Sequence, residues 1–290
     1  VVFVPGLGSF PDTTWQKPSV MSGKLVHNTS WIDDFLPLDL PQARLFYFNY
    51  DSTTYNDAPA KDLGDIADEM LFELSMTDWG DSNEVRMRLH NPPIIFVCHS
   101  YGGLVVKEVC LTLSVRKDMK HRSLLNSVSA IMFLGTPHFG TPYASYARAL
   151  ALRLHLLGSN PDIFLPLYPN STFLQKQHSE FLKHFSWLRM TNFYETKGTV
   201  ILPSWLSFPP WRVIVPKPFA TFDAPKTENY GLDYDHSGLN KFNSREERGY
   251  RTILYVLRAT AKTIIQAHQT GGGMYFTWHF FQACRLLICR

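Results

Sequence analysis

The chain has 290 residues, 45% of them hydrophobic, which is enough for one large α/β domain or two small ones and for a sizeable core. Its 28 basic and 25 acidic residues leave a formal charge of +3 with no concentrated basic stripe, which argues against a nucleic-acid partner. Four scattered cysteines (Cys98, Cys110, Cys284 and Cys289), none in a CxxC pair, argue against a disulfide scaffold or a zinc site and favour a reduced, intracellular setting, cytoplasmic or membrane-associated.

Taken in chain order, short apolar runs alternate with helical stretches. Val1–Val4 (VVFV) reads as a buried strand that ends in PGLGS, and Ala43–Tyr50 (ARLFYFNY) as a second. A helix is expected over Leu63–Leu74. Ile94–Cys98 follows the breaker Asn91-Pro92-Pro93 as a third strand, and a helix follows over Gly103–Ser114. Ala130–Leu134 (AIMFL) ends in GTPHFG. Helices over Pro142–Leu157 and Ser171–Phe185 come next, more than a simple crossover needs, so a small helical cap inserted over about 142–186 is expected. Leu188–Tyr194 and Arg212–Val215 read as the last two strands, and Arg245–Gln269 as the last helix. The segment Thr199–Trp211, rich in Trp, Phe and Pro, reads either as an apolar rim beside a site or as a loop packed on the body. Strands buried on both faces and alternating with helices imply an α/β fold with a mainly parallel, doubly wound sheet and helices on both faces.

The domain is drawn at 1–268. Residues 269–290 begin with a Gly triplet and are densely apolar, but His279 and Arg285 interrupt them, and they are too short for a membrane span; a linker or artefact is favoured over an interfacial helix. The chain opens on Val1, without Met, and shows no signal peptide, so it reads as a fragment or excised domain. Sequons at Asn28 and Asn170 keep secretion open.

The stretch IIFVCHSYGGLVVKEV, 94–109, carries the chemistry. A buried strand stops at His99-Ser100, passes Gly102 and Gly103, and restarts as an apolar helix. This is the arrangement of a nucleophile elbow, with Cys98 where Gly-x-Ser-x-Gly has its first glycine. A tight, strained turn there pushes the serine hydroxyl above the sheet, and the following helix aims its N-terminal dipole at it. The competing reading is that Ser100 merely caps the helix. A serine nucleophile needs a base. His236, in DYDHSGLNKF, follows the last expected strand and precedes the last helix, and is the candidate. Glu195, at the end of LRMTNFY, is the candidate acid that would hold the imidazole tautomer; its bland alternative is a solvated strand-end carboxylate. Asp223 and Glu228, between the last expected strand and His236, are the rival acids. The backbone N–H groups of Tyr101, after the serine, and of Leu7, in the PGLGS loop, are the candidate oxyanion donors, with Gly6 next. His138 in GTPHFG is placed at the border of the pocket, and His99 is expected to point away from the serine.

With these residues in hand, the chain resembles the lipase-like serine esterases of the α/β-hydrolase superfamily. The resemblance is nearest to a fungal group akin to the serine-active-site-containing proteins, and more distant to the GPI inositol-deacylases. The stretches VVFVPGLGS, PPIIFVCHSYGGLVVKEV, IMFLGTPHFGT, NFYETKG and DHSGLNKFNSREERGY carry it, over roughly residues 1 to 265. It implies the α/β-hydrolase fold and hydrolysis of carboxylic esters, lipid-like ones among them, with no metal or cofactor. It also leaves open contact with a membrane surface and fusion to further C-terminal domains. Two departures stand out: Pro5 replaces a His of the family's VHGLG segment, and Cys98 replaces Gly. They are the support for the alternative function, a catalytically weak or inactive module that acts in binding or signalling.

Overall fold

The computed structural model describes residues 1–9, 13–21, 24–50, 61–77, 92–141, 167, 171–200 and 211–269. The helix expected over Pro142–Leu157, most of the Thr199–Trp211 segment and the tail from 270 onward lie outside the described residues. The chain runs β1 (Val2–Val4), the hairpin β2 (Gln16–Met21) and β3 (Lys24–Ser30), α1 (Leu36–Asp39), β4 (Phe46–Tyr47), α2 (Leu63–Met76), β5 (Ile94–His99), α3 (Gly102–Val115) and α4 (Met119–Ser127). It continues with β6 (Val128–Leu134), α5 (Thr172–Phe185), β7 (Arg189–Glu195), β8 (Thr199–Val200), β9 (Trp211–Arg212), α6 (Lys217–Ala220), β10 (Thr227–Leu232) and α7 (Arg248–Gln269).

Six strands form one parallel sheet in the order β10-β7-β6-β5-β1-β4. Alternate side chains serve opposite cores. Val2, Val4, Phe96, Cys98, Ile131 and Phe133 face the layer of α2, α3 and α5; Phe3, Ile95, Val97, Ala130 and Met132 face Trp31, Tyr250 and Leu257. The helices present matching stripes. In α2 the buried positions are Leu63, Ile66, Ala67, Met70, Leu71 and Leu74, and an Asp62/Asp65 capping box starts the helix, each carboxylate accepting the other's backbone N–H at 2.9 Å.

The sheet order positions the site. From β1 the chain moves outward to β4, then returns to the other side of β1 as β5 and proceeds to β6, β7 and β10. The strand order reverses between β1 and β5, so their carboxyl ends open a crevice where ligands bind in sheets of this kind.

Two expectations need correction. The sixth strand of the sheet is β10, TENYGL, and not Arg212–Val215; of that run only Arg212 lies in a strand, β9 with Trp211, which pairs antiparallel with β8. Ile214 and Val215 pack with Ala220 in a small separate cluster. The second strand shrinks from Ala43–Tyr50 to Phe46–Tyr47. The hairpin β2–β3 and helix α4 were not anticipated from the sequence.

Candidate active site

Ser100 follows the last residue of β5 and takes φ 51°, the one non-glycine residue with positive φ among those described. Left-handed backbone is disfavoured for a serine, and the surrounding structure holds it there. Ser100 N–H donates to Leu134 O at 2.8 Å, tying the turn to β6, and Ser100 O accepts from Gly103 N–H at 3.1 Å. The turn leaves no room for a side chain two residues on. A Cβ on Gly102 would lie 2.5 Å from Pro5 O and 2.6 Å from Val4 O. Ser100 is not the helix cap: the cap position of α3 is Tyr101, and no side chain bonds the first turn there. The first turn of α3 is closed by backbone instead, with Gly103 N–H donating to Ser100 O and Leu104 N–H to Tyr101 O at 2.8 Å.

Ser100 Oγ lies 2.9 Å from His236 Nε2, and His236 Nδ1 lies 3.3 Å from Glu195 Oε1. The sheet register accounts for the placement. Glu195 ends β7 opposite Leu232 of β10, and the chain turns from β10 into the 3-10 turn His236–Gly238. The Glu195 side chain is 0% exposed, so it is no solvated strand-end carboxylate. Its Oε1 also accepts the Val215 N–H, while Oε2 has no hydrogen-bond partner among the described residues. The 3.3 Å contact is longer than a closed hydrogen bond, a spacing that tightens readily when a site is occupied. A hydroxyl, an imidazole and a buried carboxylate in this order allow the imidazole to take the hydroxyl proton and the carboxylate to stabilise the imidazolium.

The rival acids lie elsewhere. Glu228 accepts from Tyr230 Oη at 3.0 Å and pairs with Arg189 at 3.7 Å, on the outer edge of the sheet. Asp223 accepts from Asn229 Nδ2 at 3.4 Å. Neither is among the residues lining the cavity.

Ser100 and His236 open into a cavity of about 220 Å³. Leu7 and Tyr101 line it; the Tyr101 side chain is buried in the core, so this residue offers the cavity its backbone. Gly6 brings the β1 loop against the elbow: a Cβ there would lie 3.0 Å from the Ser100 Cβ. Cys98 does not line the cavity. It is wholly buried between Val4 and Phe133, and burial pushes its thiol far above the usual range. Pro5 O accepts the Tyr50 hydroxyl at 3.1 Å beneath the loop.

The histidines depart from expectation. His138 is fully buried beneath the pocket: Nε2 meets Asn192 Oδ1 at 3.1 Å, and its ring packs edge-on against Phe133 and Phe222. His99 does line the cavity, and its Nε2 lies 2.9 Å from the main-chain O of His236. A carbonyl only accepts, so His99 Nε2 carries the proton. Burial, then the neighbouring His236, lowers its pKa to about 3, which keeps it neutral. No local sequence signal gives this contact, because its acceptor lies 137 residues along the chain.

Among the described residues no helix is long and apolar enough to cross a membrane. Comparison with known proteins places the whole in context. Protein SERAC1 of Bos taurus is 25% identical over 279 residues, and that of Homo sapiens 26% over 286; each alignment covers 91% of this chain and 39% of the relative. The chain therefore spans about two-fifths of the length of the curated relatives it matches. The mature form of the Bacillus licheniformis lipase BlEst2 superposes with a TM-score of 0.53 at 17% identity, covering 87% of this chain and 90% of that one. At that identity the likeness is one of fold, and it matches the parallel sheet and its flanking helices. The Alpha/beta hydrolase family matches residues 1–251, which hold the elbow, the β1 loop and His236, and the chain belongs to that family.

Proposed function

We propose that this chain is a serine hydrolase of carboxylic esters that works through an acyl-enzyme. The observation that carries the reading is the line from Ser100 Oγ to His236 Nε2 at 2.9 Å and from His236 Nδ1 to Glu195 at 3.3 Å, on a strained strand-to-helix turn. Ser100 Oγ attacks the ester carbonyl as His236 Nε2 takes its proton. Leu7 and Tyr101 N–H groups hold the oxyanion, His236 returns the proton to the leaving alcohol, and water releases the acyl group by the same steps in reverse. His99 is the positioning residue that ties the base's main chain to the elbow. No step calls on a metal or cofactor.

Leu7, Pro137, Leu167 and Val215 give the cavity an apolar share that suits an acyl chain, and so favour lipid-like esters. Leu167 lies within the stretch read as a cap over about 142–186, and its O accepts the Thr141 N–H at 3.1 Å beside the site. The catalytic domain is taken as 1–268, one part of a longer architecture as in the relatives.

Labelling of the purified protein by a fluorophosphonate probe tests the reading. Wild type should label, and Ser100→Ala and His236→Ala should not. A folded wild type that resists the probe would mark the chain as a module without an activated serine.

A further inference from the structure

Lys241 lies on the loop that follows the His236 turn, its N–H bonded to Gly238 O at 3.2 Å, and it lines the same cavity as Ser100. It is the one Lys or Arg among the described lining residues, and they include no Asp or Glu. Its ammonium makes no ion pair or hydrogen bond among the described residues. The carboxylate that acts on it through space, Asp235, makes no hydrogen bond to it and accepts the Gly238 N–H at 2.8 Å. Burial lowers the Lys241 pKa and Asp235 opposes the change, as expected of a cation that has lost water without gaining a close partner. A second group beside it is also unmatched. Asn240 is 1% exposed and lines the cavity; its Nδ2 donates to Thr14 O at 2.9 Å, while its Oδ1 has no partner among the described residues.

A partly desolvated ammonium gains most from an anion that arrives with the ligand, and a buried amide oxygen gains from a donor beside it. We infer that Lys241 selects esters that carry an anionic group, a carboxylate or a phosphate, on the same molecule as the bond presented to Ser100. The inference rests on the proposed hydrolase reading for its ester and sharpens the substrate class. Lys241 is then a specificity-determining residue that binds the anion.

The test separates binding from turnover. Three 4-nitrophenyl esters of equal length, ending in a methyl group, a carboxylate or a phosphate, are titrated by calorimetry into Ser100→Ala, and into Ser100→Ala carrying Lys241→Met or Lys241→Arg. The anionic esters should bind about tenfold more tightly than the neutral one at low salt, the order of a close charge pair. Lys241→Met should abolish that advantage, Lys241→Arg should keep it, and added salt should shrink it. The tighter of the two anionic arms names the anion. Equal affinities across the three esters, no measurable binding included, or a preference that survives Lys241→Met, would overturn the inference. Turnover of the neutral ester by the chain with Ser100 intact is read separately: its absence counts against the hydrolase reading and leaves the binding ratio to decide on Lys241.

Discussion

His99 Nε2 donates to the main-chain oxygen of His236 at 2.9 Å, so the residue before the serine holds the backbone of the histidine that faces it. The two rings sit 5.1 Å apart. His99→Phe fills the space and removes the donor, and kcat/KM for an ester should fall about 10- to 100-fold through misplacement of the base. His99→Gln, which keeps a donor, should recover part of the loss. Equal rates for wild type and His99→Phe would reduce this contact to packing.

Glu195→Gln keeps the shape of the side chain and removes its charge. The substitution should lower kcat by about 10²- to 10⁴-fold, because the imidazolium loses its stabilising anion and the tautomer its anchor. Asp223→Asn and Glu228→Gln should each change kcat less than twofold, since both carboxylates bond other partners. A larger effect at Glu228 than at Glu195 would transfer the acid's role.

Gly102→Ala should be destabilising by about 3 kcal/mol or prevent folding, as the new methyl meets two backbone carbonyls that cannot turn aside. Urea unfolding followed by tryptophan fluorescence reads it. Unchanged stability would mean that strand and helix can separate at the elbow.

Acid should weaken the fold early. Burial first, with His236 beside one and Lys107 beside the other, lowers both His99 and His178 to about 3, and burial holds His138 well below the usual range. Between their ordinary value of 6.5 and about 3, the unfolded chain binds protons that the native state refuses. Stability is therefore full above pH 6.5 and falls as the pH drops, by up to about 1.4 kcal/mol per pH unit for each histidine. Denaturant midpoints at pH 7, 6 and 5 measure the slope, and a flat series would contradict the neutral state of these rings.

The turn at Ser100 was legible because its demands are local: an apolar run, a serine, a glycine two residues on and an apolar helix. The rest depended on partners far along the chain. Strand β10 hides in TENYGL because an edge strand tolerates polar residues, whereas the apolar run at 212–215 signals burial without a place in the six-stranded sheet. Pro18 inside β2 masks the first hairpin in the same way. Glu195 could be placed at a strand end from sequence, but that it faces His236 while Asp223 and Glu228 bond elsewhere needed the register of β7 against β10. The contact of His99 needed the fold to bring the His236 main chain against the end of β5.

The reversal of strand order between β1 and β5 also bears on how the candidate site is assembled. Val4 meets Cys98, and Leu7, Ser100, Glu195 and His236 arrive from four distant points of the chain. Closing such long loops costs entropy before any contact repays it, so folding should be slow, with a high contact order. A short excised segment should therefore hold Ser100 without His236 and Glu195 beside it. Heat or denaturant should extinguish probe labelling in the same cooperative transition that melts the sheet, which makes labelling a direct report on the folded fraction.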